Sequence, residues 1–171
     1  MFKSFLHSGL LWLVDKKTKK IDYKQTGSER AENVPSWSWM AYEGKIRFIP
    51  TESSTKWFRG LGIRDQELGA EVALFRNGAR TGERTTEERV GEPVLDSDGT
   101  EKGWIQYDTK DARDLSSARC VVIARVGDSK KCKFYILAVK PTKNEREYER
   151  IGVGEVESTI VSRCLGEVRV V

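Results

Sequence analysis

A catalytic site needs an activated nucleophile or a tuned acid and base, and the residue types that supply them are few in this chain. His7 is the single histidine, and the cysteines are Cys120, Cys132 and Cys164. A Ser-His or Cys-His arrangement would have to recruit the His7 ring from an amphipathic stretch near the start of the sequence rather than from beside a nucleophile elbow. A structural role is therefore expected for it. The cysteines are odd in number and lack C-x-x-C spacing, which argues against a disulfide framework and a zinc site and fits a reduced, cytoplasmic setting. Asp96, Asp98 and Gly99 form a fragment of a calcium loop without the glutamate that closes it, so "DSDG" is expected to be a turn. "RGLGIRDQELG", from Arg59 to Gly69, has glycines but no preceding dinucleotide-type strand and no G-K-[ST]. No catalytic, cofactor-binding or metal-ligating residue is assigned.

Charge and composition narrow the remaining classes. The formal net charge of +4 comes from residues 1–25, where Lys3, Lys16, Lys17, Lys19, Lys20 and Lys24 face only Asp15 and Asp22. Beyond them the signs interleave, as in Arg80, Glu83, Arg84, Glu87, Glu88 and Arg89, which describes a solvated charged surface rather than a nucleic-acid face. A hydrophobic content of 38% with five tryptophans and six phenylalanines is enough apolar area for a folded core. A chain of 171 residues is sized for one domain. No stretch approaches the roughly 20 apolar residues of a membrane span, and "FKSFLHSGLLWLV" runs into "DKKTKK" without a small-residue cleavage site.

The elements that must position any site are mostly strands. Phe2, Phe5, Leu6, Leu10 and Leu13 fall at helical spacing, although "LLWLV" also reads as a strand. Residues 15–33 are lysine-rich and then polar, and read as a linker. In "VPSWSWMAYEG" strict alternation begins at Pro35, the signature of a strand. With a turn at Glu43-Gly44, Ala41 would face Ile46, Trp39 would face Phe48 and Trp37 would face Pro50, so the indoles would wall a core. "EVALF" (71–75) and "WIQYD" (104–108) are short strands, and 76–91 is a long exposed loop. "CVVIARV" (120–126) and "KFYILAVK" (133–140) form a hairpin buried on both faces, with Cys120 near Ala138 and Cys132 near Val126. "YERIGVGEV" (148–156), whose Gly152 and Gly154 permit a bulge or close approach, and "EVRVV" complete the set. The expected fold is mainly β: one antiparallel sandwich or partly open barrel over 35–171, preceded by a short helix and linker over 1–34.

Four of these stretches, "GLLWLVD", "VPSWSWMAYEGKIRF", "CVVIAR" with "FYILAVKP", and "YERIGVGEV", resemble in the same order the C-terminal region of fungal heterokaryon-incompatibility (HET) domain proteins. In that family a P-S-W-S-W signature follows a leucine- and tryptophan-rich stretch, and the β-rich tail ends in a Y-E-R-V-G-V-G-like strand. The resemblance implies a cytoplasmic accessory domain without catalysis or cofactor, linked to non-self recognition and programmed cell death through a protein partner such as a full-length relative. The α/β HET domain proper is not matched, so no catalytic residue carries over; Trp37, Trp39, Tyr148, Arg150 and Gly152 transfer as signature residues expected to be buried. Two other classes stay open: a single-stranded nucleic-acid-binding barrel with Trp37 and Trp39 as a stacking platform, and a small hydrolase or NAD-consuming fragment using His7, Cys120 or a carboxylate pair.

Overall fold

The computed structural model describes residues 7–15, 19–21, 34–64, 66–76, 78–83, 90–109, 115–127 and 132–171, apart from the side chains of 163 and 164. Among these residues, 7–10 are helical and fourteen strands follow. The first five are β1 (Trp12–Val14), β2 (Lys19–Lys20), β3 (Tyr42–Glu43), β4 (Ile46–Phe48) and β5 (Lys56–Trp57). Then come β6 (Gly62–Arg64), β7 (Glu67–Phe75), β8 (Arg80–Thr81), β9 (Glu92–Leu95) and β10 (Glu101–Tyr107). The last four are β11 (Arg119–Val126), β12 (Lys133–Pro141), β13 (Glu147–Glu157) and β14 (Val161–Val170).

The five long strands close on one another. β7 pairs with β11, β11 with β12, β12 with β13, and β14 with β7, all antiparallel. The seam between β13 and β14 is parallel and only two residues deep, Glu147 opposite Arg169 and Tyr148 opposite Val170. Beyond that seam the same edge of β13 takes β10 over Gly152 to Val156. The fold is therefore mainly β, with a barrel that is partly open where β13 changes partner.

The hairpin of β11 and β12 shows why these segments read so clearly. Cys120 lies opposite Ala138, as the apolar pattern predicts. Alternate residues go to two different cores: Val121, Leu137, Val139 and Val153 to one, Cys120, Ile136, Ala138 and Val156 to the other. A strand covered on both faces reads as a continuous apolar run. Cys132 stands at the opposite end of the hairpin from Cys120, so the two thiols cannot be bridged.

Two expectations are corrected here. Residues 10–14 are not a separate segment ahead of residue 35: Leu10, Leu11 and Leu13 belong to the first core, and Trp12 and Val14 to a third with Ala41 and Tyr42. Nor does a strand begin at Pro35. The chain turns at 36–38, with Ser38 N–H donating to the Pro35 carbonyl at 2.9 Å, and runs into a 3-10 turn over Trp39–Ala41. β4 pairs with β1, Trp12 opposite Phe48 and Val14 opposite Ile46, while β3 pairs with β2. The burial order is the reverse of the expected one: Ser36 and Ser38 are buried, Trp37 is half-buried, and Trp39 is 49% exposed. Most of the 15–33 linker lies outside the described residues.

Candidate functional site

The most organised polar constellation is built around Arg150, where β13 leaves β14 and has not yet joined β10. A bulge at Ile151 marks the place: Val139 pairs with Arg150 and Ala138 with Gly152. On its other edge the Arg150 N–H has no strand to bond. Ser36 fills the gap, its Oγ accepting from the Arg150 N–H at 2.8 Å and donating to the Val171 main-chain oxygen. This is why Ser36 of "PSWSW" points inward, while Ser38 Oγ accepts from the Met40 N–H at 3.3 Å. Two backbone groups left over by the strand exchange require partners, and an unpaired buried group costs about 1–3 kcal/mol, more than alternation in a short segment can oppose.

The Arg150 side chain is 2% exposed and fully engaged. Nε and Nη2 donate to the two carboxylate oxygens of Asp108 at 2.9 and 3.2 Å. Nη1 donates to the Leu10 carbonyl at 2.9 Å and Nη2 to the Trp12 carbonyl at 2.7 Å. The guanidinium lies 3.3 Å over the Trp12 ring, a close cation–π stack. Trp12 is itself held by its Nε1, which donates to the Trp37 carbonyl at 2.9 Å, and by a tilted contact with Tyr42 at 5.1 Å. The Tyr42 hydroxyl donates to Asp108. Burial pushes the Asp108 carboxyl above the ordinary carboxylate range, against the opposing pull of the Arg150 guanidinium. Burial, and then the charge of Asp108, hold the Tyr42 phenol far above its ordinary value of 10.0.

That last shift has a measurable sign. A phenol whose folded-state value is raised contributes stability below the unfolded value near 10, and that stability is lost as pH rises from there toward the folded value. Urea denaturation at pH 9 and pH 11 should show the wild type losing about 1.4 kcal/mol more than Tyr42→Phe. Equal losses would place the hydroxyl in contact with water. At pH 8 the same variant should be less stable by about 1.5–3 kcal/mol, the value of a hydrogen bond to a charged acceptor.

The residues that could do chemistry lie elsewhere and apart. His7 is 3% exposed, its Nε2 donates to the Phe58 carbonyl at 2.7 Å, and its ring rests against Trp57 at 5.6 Å. Cys120 is wholly buried in the second core. Asp96 forms a closed turn: its Oδ1 accepts from the N–H groups of Asp98 and Thr100 at 3.0 and 2.9 Å, and Lys102 lies 3.8 Å from its Oδ2. The described residues contain no group of three or more His, Cys, Asp or Glu placed to hold a metal ion. A cavity of about 230 Å³ is lined by Val90, Gly91, Pro93, Glu101 and Trp104, below the roughly 300–1,000 Å³ of ligand pockets. No helix among the described residues is long and apolar enough to cross a membrane.

Asp108 and Ser36 were missed from the sequence although a signal existed. An arginine inside the apolar run "ERIGVGEV" must find a carboxylate if that strand is buried, and Asp108 directly follows Tyr107, which lies opposite Gly152 at the end of β10. The signature residues separate: Arg150 is buried, Trp37 and Tyr148 are partly buried against the first core, and Trp39 stands in water with Met40, which is 54% exposed. Comparison of the chain with family models, with curated proteins and with solved structures finds no match.

Proposed function

We propose that this chain is a non-catalytic, cytoplasmic accessory domain resembling the C-terminal part of fungal heterokaryon-incompatibility proteins, working through protein contacts in non-self recognition and programmed cell death. One observation carries the reading: three of the stretches on which the resemblance rests meet at a single buried point. Trp12 from "GLLWLVD" and Ser36 from "PSWSW" both meet Arg150 from "YERIGVGEV", Trp12 at its guanidinium and Ser36 at its main-chain N–H. Segments far apart in the chain that serve one buried cluster behave as a single structural signature, and the bonding capacity of that cluster is consumed internally, as in a scaffold. The same turn that buries Ser36 and Ser38 presents Trp39 and Met40 to solvent, residue types that anchor protein interfaces. The partner proposed for them is a full-length relative.

Expression in a fungal host, alone and beside such a relative, tests this. The chain should change viability only in the co-expressing strain, and Trp39→Ala with Met40→Ala should abolish the change while leaving the denaturation midpoint within about 0.5 kcal/mol of wild type. Indifference of the co-expressing strain to the chain would overturn the proposal.

A further inference from the structure

The pairing of β5 with β11 brings together charges that are well separated in the sequence. Lys56 lies directly opposite Arg125, and both are exposed. Like charges facing each other across an antiparallel pair are destabilising, and among the described residues neither has an ion-pair partner. On the other side of Arg125, Phe134 is its register partner in β12. The Phe134 ring meets that of Phe58 edge-on at 6.2 Å, and Phe58 is 37% exposed. Lys133, next in the chain, turns to the opposite face, where Glu155 takes it at 2.7 Å. One rim of the barrel thus carries two adjacent uncompensated cations beside a phenylalanine pair, of which Phe134 packs against the second core and Phe58 meets Phe134 edge-on.

From this arrangement we infer a binding surface for single-stranded nucleic acid, independent of the reading above. The cations stand on an open strand face, so their ligand lies along a surface rather than inside a pocket. Phosphates would relieve the repulsion between Lys56 and Arg125, and a base would stack on Phe58, the combination of cationic track and aromatic platform by which unpaired strands are held. This platform is distinct from Trp37 and Trp39, and the interleaved signs along the chain conceal it, because register alone makes Lys56 and Arg125 neighbours.

The test is fluorescence anisotropy of a labelled dT oligonucleotide with the full chain at low salt. Binding should be saturable and weaken with salt, with a log–log slope of about −1.4 for two phosphates on a single strand. Phe58→Ala should weaken it roughly tenfold, and Lys56→Glu with Arg125→Glu should abolish it. A stability readout keeps these variants interpretable. Lys56→Glu alone creates a cross-strand ion pair with Arg125, should raise the Tm by roughly 1–2 °C and should also weaken binding, so that its loss of binding is not failure to fold. Absence of saturable binding overturns the assignment, as does binding that survives the double variant. Equal affinity for duplex DNA, or for phosphatidylserine vesicles, also overturns it, since either would make the surface a general anion site.

Discussion

Replacing Arg150 with Met should cost about 3–5 kcal/mol of folding stability, because the change leaves the buried Asp108 carboxylate without its counter-charge. Domains of this size are stable by only about 5–15 kcal/mol, so the variant should be marginal at 25 °C. Arg150→Lys should recover little: one ammonium cannot reproduce the fork that reaches both Asp108 oxygens and the carbonyls of Leu10 and Trp12 together. Arg150→Met with Asp108→Leu should recover a large part, since replacing a buried ion pair by apolar groups of similar volume is often close to neutral. Urea denaturation of the three variants decides it. Arg150→Met within 1 kcal/mol of wild type would mean that Asp108 carries no charge in the folded state. The loss should also reach the first turn of the described chain, because Leu10 and Trp12 are tied to β13 through the guanidinium.

Gly154→Ala should be at least as damaging, by more than about 4 kcal/mol, or should yield no folded protein. A Cβ at this position would overlap the Trp104 carbonyl oxygen on β10, a backbone atom that cannot swing aside. The same crossing is served on β13 by Gly152, whose Cβ would lie 2.6 Å from the Gln106 carbonyl, and on β10 by Gly103, at φ 141°, whose Cβ would overlap the Glu155 carbonyl. β10 and β13 therefore approach more closely than side chains permit, and the glycines of "IGVG" make that approach possible. Gly9→Ala is the control with the opposite sign. Nothing lies within 4 Å of a Cβ there, and the residue sits in the helical turn 7–10, so the substitution should be neutral or stabilising by up to about 1 kcal/mol. Thermal unfolding of the two variants reads the difference directly, and a folded, wild-type-like Gly154→Ala would show that the crossing can open.

How much was legible follows from the range of the forces involved. The β11–β12 hairpin and its register were readable because burial on both faces writes an unbroken apolar run between turn residues, a local signal. "EVALF", "WIQYD", "YERIGVGEV" and "EVRVV" were also found from local pattern and turn signals; "EVALF" and "YERIGVGEV" lie within longer strands, and "WIQYD" and "EVRVV" each run one residue past the end of theirs. The close approach at Gly152 and Gly154 was likewise readable, since a glycine pair inside a strand has few other uses. "VPSWSWMAYEG" misled because its alternation is real but its cause is different. Ser36 is buried to satisfy an N–H and a main-chain oxygen belonging to residues more than a hundred positions away, and no local period encodes such a demand.

The sequence by itself therefore determined that this is a β protein with a hairpin buried on two sides, because apolar period and turn chemistry act over a few residues. Tertiary structure alone decided which tryptophan faces water, which carboxylate answers Arg150, and that Lys56 stands beside Arg125. Each of those depends on where β13 exchanges one neighbour for another or on which strand docks beside β11. Hydrogen-bond and charge demands created at such crossings are satisfied by whatever segment arrives, and they outweigh the modest preference of any single side chain for one face.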